Sequence, residues 1–251
     1  MLRIAALYDI HGNLPALEAV LEEVKQAGVD AILVGGDVLP GPMPRECLEL
    51  LGATGIQTEF IHGNGESAAL DSLRGGTMAA VPEPFRPWIT WSARDLTTEQ
   101  AEALATWPLT TRLDVDEIGE TMFCHATPRN DTEIFTRLTP DDRAWMLFAG
   151  IDAHVAVCGH THMQFDRTVG SLRVVNAGSV GMPFADPGAY WLLLGPDVQL
   201  RRTSYDLDAA AARIRRSGFP GAEAFATQVL TPFTEEATLA AYAKVDGRLP
   251  A

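Results

Sequence analysis

Apolar positions come in short blocks, and the blocks repeatedly stop on a polar residue beside a glycine. The first, "RIAALYD", reads as a buried strand. After "IHGN" the period changes. Leu14, Leu17, Val20, Leu21 and Val24 recur at helical spacing, with Asn13 as N-cap, Pro15 in the first turn and Gly28 as the stop. "AILVGGD" is a second buried strand ending in a carboxylate. A helix over Pro44 to Leu51 follows, then the strand "QTEFI". The first 64 residues therefore read β-α-β-α-β, with polar residues at the C-terminal end of each strand. That edge is where open α/β sheets bind ligands.

From about residue 75 to 110 the pattern breaks. Pro82, Pro84, Pro87 and Pro108 alternate with Trp88, Trp91 and Trp107, and Thr98 to Thr106 reads as a helix capped by Thr97 or Thr98. This stretch is too short to bury a core of its own, so it reads as a helical insertion within a single domain over residues 1–251. Strands then dominate: "TRLDV" and "ETMFCH" around "DEIG", followed by "HVAVCGH", "QFDRTV", "LRVVNAG", "AYWLLL" and "VQLRRTS". Asp206 caps the helix "LDAAAARIRRSG". The tail from about Phe219 is expected to be helical and peripheral.

Composition narrows the function classes. The 251 residues are 47% hydrophobic and 21% charged, which fits a globular protein with a sizeable core. A net charge of −14 opposes binding to bare nucleic acid, since little is available to replace phosphate counterions. No apolar run is long enough to span a membrane. Cys47, Cys124 and Cys158 are widely spaced, as expected of reduced core thiols in a cytoplasmic protein.

The polar residues that end the strands are metal-type ligands. They are Asp9 and His11 in "YDIHGN", Asp37 in "GGDV", Asn64 in "HGN", His125 in "FCHATP", and His160 and His162 in "CGHTH". Gly12, Gly36, Gly63 and Gly159 beside them let the backbone turn tightly. Each piece alone has an ordinary reading: a capped turn for DxH, a turn aspartate for GGD, a satisfied half-buried histidine for His125. All five pieces in one order at strand ends point instead to a metal site. Mixed imidazole and carboxylate donors suit Mn, Fe, Zn, Ni or Co.

The motif set "DIH", "GD", "GNG", "H" and "GHTH" resembles that of the calcineurin-like metallophosphoesterases, specifically the small bacterial phosphodiesterase-like members. The resemblance runs from about residue 3 to 218 and takes in "GPMPREC" and "NAGSVGMP". It implies a four-layer αββα sandwich of two mixed sheets flanked by helices. It also implies two divalent transition-metal ions, manganese foremost. Asp9, His11 and His162 would hold one ion, Asn64, His125 and His160 the other, and Asp37 would bridge them. Hydroxide would attack the phosphorus of a small phosphate ester in line. Asp37, Asn64 and His125 are the residues to which catalysis is assigned.

One position departs from the pattern. Where family members carry "GNH", with a histidine that donates a proton or contacts phosphate, this chain has Gly65. A positioned general acid contributes about 10²–10⁴ in rate, and poor leaving groups need it most. The expectation is therefore a preference for phosphodiesters or nucleotide-type substrates. The alternatives are a phosphomonoesterase or protein phosphatase, or a non-catalytic scaffold. His62, Glu66 or a water in the vacated space are the candidate replacements for the donor, with Glu66 otherwise a solvated helix-start residue. Arg129, Asn130 and His62 are candidate substrate contacts, Arg45 a weaker one, and His154 reads as structural. Trp88 and Trp91 read as insertion core rather than a stacking platform.

Overall fold

The computed structural model of the protein describes residues 2–246. The first half runs β1 (Ile4–Leu7), α1 (Leu14–Ala27), β2 (Ala31–Val34), α2 (Pro44–Gly52), β3 (Gln57–Phe60) and α3 (Asn64–Leu73). A 3-10 turn at Glu83–Phe85 leads into α4 (Arg86–Asp95) and α5 (Thr98–Leu104). Then come β4 (Thr110–Val115), β5 (Gly119–Cys124), α6 (Asp141–Leu147), β6 (Val155–Cys158), β7 (Phe165–Val169) and β8 (Leu172–Asn176). The chain continues through β9 (Ala189–Leu194), β10 (Val198–Thr203), α7 (Leu207–Arg215), α8 (Ala222–Leu230) and α9 (Glu235–Tyr242).

The strands form two five-stranded mixed sheets, ordered β10-β9-β1-β2-β3 and β4-β5-β6-β8-β7. Side-chain alternation along β1 shows how they stack. Ile4, Ala6 and Tyr8 pack with Phe123, Val155, Val157 and Val175 of the opposite sheet. Ala5 and Leu7 point the other way, onto Leu17, Val20 and Val24 of α1 and Cys47 and Leu51 of α2. Both faces of β1 are thus buried, which is why it reads as an unbroken apolar run. On the far side of the second sheet, Ala156, Cys158 and Val174 pack against Ala144 and Leu147 of α6 and against Phe135 and Phe148. The result is the four-layer αββα sandwich expected.

The α1 boundaries follow the expected chemistry. Asn13 Oδ1 accepts from Ala16 N, and Gly28 closes the helix at φ 61°. The expectation for the tail needs correction. Phe219, Phe225, Ala226 and Val229 are buried with α1 and β1 residues in the main core, so α8 is an integral layer. Phe219 also meets Trp88 and Trp91 edge-on, at centroid distances of 5.2 and 5.4 Å. That contact ties the insertion to the body of the domain. The last five tail residues lie outside the described part.

The insertion does share a small core, built with α3. Ala68 and Ala69 of α3 pack with Leu39, Ile89, Ala93 and Leu104. α4 and α6 were not foreseen as separate helices.

Candidate metal centre

The candidate ligands gather at one edge of the sandwich, after strands that run parallel in their sheets. Asp9 follows β1, Asp37 follows β2 and Asn64 begins the helix after β3. His125 directly follows β5, and His160 and His162 follow β6, its parallel neighbour. His11 Nε2 and His162 Nε2 are 3.1 Å apart, and His162 Nε2 lies 3.3 Å from Asp9 Oδ1. His125 Nε2 is 3.1 Å from Asn64 Oδ1. Asp37 Oδ2 sits between these groups, 3.8 Å from His11 Nε2 and 3.6 Å from His125 Nε2. Two triads of mutually close donors result: Asp9, His11 and His162, and Asp9, Asp37 and His125. Asp9 belongs to both. The His160 ring lies 5.1 Å from that of His125, outside the two triads.

Backbone geometry aims these side chains. Asp9, His11, Asp37, His160 and His162 all have φ between 47° and 66°, a left-handed conformation uncommon for residues with a Cβ. Two of the adjacent glycines, Gly12 and Gly36, turn the same way, and the candidate ligands themselves share the turning. Surrounding hydrogen bonds hold the strained positions. Asp9 N–H donates to Gly36 O at 3.1 Å, and Asp9 O accepts from Ser179 Oγ at 2.8 Å and Gly181 N at 3.0 Å. His11 N–H donates to Asp37 O at 2.9 Å. The segment "NAGSVGMP" therefore serves as a brace behind Asp9.

Three ring nitrogens are committed away from the centre. His11 Nδ1 donates to Pro40 O at 3.1 Å, His125 Nδ1 to Gly35 O at 2.9 Å and His162 Nδ1 to Met182 O at 2.6 Å. Each bond fixes the tautomer and leaves Nε2 with its lone pair facing inward, as metal-ligating imidazoles require.

Charge in the centre is unbalanced. Burial pushes Asp37 well above the usual carboxylate range, and the Asp9 charge adds to this against the opposing N–H of Gly65. Burial also opposes ionisation of Asp9, but His162 outweighs it and holds Asp9 below the usual range. His162 is correspondingly raised by Asp9 against its own burial. Burial and the neighbouring His162 lower His11 to about 3. Asp9 Oδ1 is fully buried and makes no hydrogen bond among the described residues, with His162 Nε2 in ion-pair contact at 3.3 Å. A buried carboxylate oxygen ringed by imidazole nitrogens fits a cation. The residues present thus suit the metal-dependent chemistry their motifs imply.

Glu66 is not the solvated helix-start residue of the first expectation, and burial raises it to about 7. It is fully buried at the third position of α3. Oε2 accepts from Asp37 N at 2.7 Å and Gly63 N at 2.9 Å. Oε1 accepts from Val38 N at 2.8 Å and Leu39 N at 3.4 Å. The side chain clamps the Asp37 loop to the start of α3. The sequence signal was "GNGE", a capping-box spacing with glycine in place of the usual serine or threonine.

Gly65 has a steric reason. Its N–H donates to Asp37 Oδ1 at 2.7 Å, and a Cβ there would lie 1.9 Å from the Leu39 carbonyl oxygen. A side chain at this position would enter through space already filled by backbone. His62 is held by Ser67 Oγ at 3.2 Å, which in turn donates to Asp131 Oδ2 at 2.5 Å. Arg129 is paired with the buried Glu133. Asn130 Oδ1 caps the turn by accepting from Thr132 N and Glu133 N. Arg45 pairs with Asp95 at 3.4 Å. The His154 ring packs where a Gly119 side chain would stand.

Among the described residues, no helix is long and apolar enough to cross a membrane. The chain is 27% identical over 243 residues to an uncharacterised protein of Methanocaldococcus jannaschii, covering 86% of this chain and 93% of that one. Its fold superposes on a metallophosphoesterase from Sphaerobacter thermophilus with a TM-score of 0.70 and 27% identity, covering 92% and 99% of the two chains. A hypothetical protein from Pyrococcus horikoshii shares the fold at TM-score 0.77 and 21% identity, over 91% and 98%. Residues 2–195 match the calcineurin-like phosphoesterase superfamily domain. With its two facing sheets and its ligands at their common edge, the chain belongs to the calcineurin-like phosphoesterase superfamily.

Proposed function

We propose that the protein is a phosphoesterase with a dinuclear metal centre. Asp9, His11 and His162 would hold one divalent ion and Asn64, His125 and His160 the other, with Asp37 available to both. The observation that carries this reading is the convergence of inward Nε2 lone pairs on the buried Asp9 Oδ1. When bound, such ions supply Lewis-acid charge and activation of water. The chain's part is to orient the donors, exclude bulk solvent and hold Asp37 in place through Gly65 N–H and the Glu66 clamp. Two carboxylates against two divalent ions leave about two positive charges to receive a phosphate ester.

Phosphodiesters or nucleotide-type substrates suit the site better than monoesters. Position 65 offers no side-chain donor, Glu66 has both oxygens occupied as acceptors, and Arg129 is engaged by Glu133. A small phosphate ester in the cytoplasm is the expected substrate, and manganese the expected metal. The test is to strip the protein with chelator, reload it with Mn²⁺ and compare an aryl phosphodiester with its monoester. Diester turnover abolished by Asp37→Ala and His160→Ala supports the reading. Strong monoester turnover with little diester activity would assign a phosphomonoesterase instead. Full metal loading without turnover of either ester would assign a scaffold.

A further inference from the structure

A cavity of about 220 Å³ opens directly off the candidate metal centre. Its floor is made by His11, Asp37 and Asn64, so a phosphorus atom held there would direct one ester group into it. Its wall comes from the insertion and is apolar: Val81, Phe85, Trp88 and Ile89, with Met182 opposite. No lysine or arginine lines it, so nothing would neutralise a second phosphate.

The wall is preformed. Trp88 meets Phe85 edge-on at 5.3 Å and Phe219 at 5.2 Å, and Gly221 leaves room for its indole where a Cβ would lie 2.2 Å away. Ile89 is buried in the core shared by α3 and α4. Phe85 stands half-exposed at the mouth. An apolar cavity of ~150 Å³ accommodates benzene; with the part beside His11, Asp37 and Asn64 left to the phosphate head, the remainder between Phe85, Trp88 and Ile89 fits one ring at most. A second cavity, of about 320 Å³, also borders Asn64 and shares Ala68, Ala80 and Val81, but it has Asp71 and Asp131 where the first has its aromatic wall.

We infer that the apolar cavity is the subsite for an uncharged aromatic or bulky apolar group esterified to the substrate phosphate. This rests on the metallophosphoesterase reading and deepens it. Trp88, expected to be insertion core alone, presents its other side to this cavity. The insertion thereby becomes the element that selects the substrate's alcohol.

The test uses the full-length, Mn²⁺-loaded protein and phosphonates, whose carbon–phosphorus bond is not hydrolysed. Calorimetry compares methylphosphonate, phenylphosphonate and 2,3-dihydroxypropylphosphonate. The phosphonate head reports the metal centre and the substituent reports the subsite. Burying a phenyl ring should tighten binding about 10–100-fold over methyl. In Phe85→Ala and in Phe85→Asn, at the exposed rim of this cavity alone, the phenyl-to-methyl ratio should fall to about threefold or less. Methylphosphonate binding with no phenyl gain overturns the subsite while leaving the metal-centre reading intact. A dihydroxypropyl preference over phenyl would place the alcohol in the cavity beside Asp71 and Asp131 and also overturn it. If no phosphonate binds and no ester is turned over, the functional reading itself fails.

Discussion

Gly65→Ala is the smallest change that probes how the site is built. The added Cβ would stand 1.9 Å from Leu39 O, 2.9 Å from Leu39 C and 2.9 Å from Asp37 Oδ1. Real Cβ contacts stay beyond 3.0 Å, so the Leu39 loop or the start of α3 must move by about 1 Å. Neither is free to yield. Leu39 is buried in the α3–α4 core, and Glu66 ties both segments together. Overpacking of this kind costs about 1–3 kcal/mol. Pulling Gly65 N–H away from Asp37 Oδ1 removes a hydrogen bond worth about 0.5–1.5 kcal/mol. We expect a loss of about 1.5–4.5 kcal/mol, or roughly 3–18 °C in Tm for a domain of this size. Thermal melts with and without Mn²⁺, together with metal titration, measure both stability and site integrity. A variant within about 2 °C of wild type, with unchanged metal affinity, would refute the reasoning. The same geometry governs Gly65→His. The imidazole enters through the same blocked Cβ, so monoester turnover should fall rather than rise. A clear gain, in a correctly folded variant, would show that the Leu39 loop moves easily.

Three further outcomes follow from the site. Glu66→Gln keeps one carbonyl acceptor and turns an NH₂ towards two backbone N–H donors, so it should cost about 2–4 kcal/mol and weaken metal binding; denaturant titration showing no change would remove Glu66 from the clamp role. In wild type, added Mn²⁺ should raise Tm by mass action, whereas Asp9→Asn should abolish most of that rise; an equal rise in both would exclude Asp9 as a ligand. His11 titrates near 3 when folded and near 6.5 when unfolded, so the unfolded chain binds the extra proton first and its stabilising contribution is lost as pH falls from about 6.5 through 3. Metal-free His11→Asn should therefore gain on wild type by up to about 4 kcal/mol over that window, and a pH-independent difference in melts would contradict this.

Much of the architecture was readable because local pattern and burial agree. β1, β2 and β6 are apolar at every position since both faces are covered, and each ends where its polar ligand begins. The ligands stood out because buried histidines and carboxylates at successive strand ends have few other uses. What escaped depends on contacts between distant segments. Glu66 looks like any exposed helix-start acid until residues 37–39 close over it, and Gly65 looks like a deleted donor until the Leu39 carbonyl is seen against it. Phe219 and Phe225 escaped because a short apolar stretch after a helix does not disclose that it fills the space between α1 and the insertion tryptophans. Arg129 is a candidate substrate contact whose ion pair with Glu133, four residues on, only the structure discloses.

The left-handed backbone at five of the ligand positions bears on how this centre would be lost. A non-glycine residue held there costs on the order of 1–3 kcal/mol, and glycine relieves much of it. A glycine at His160 or His162 would therefore release tension from the chain even as it removes a candidate ligand. For the metal-free polypeptide, inactivity lies downhill. A descendant freed from the need to hydrolyse anything would keep this fold with ease and shed its ligands first.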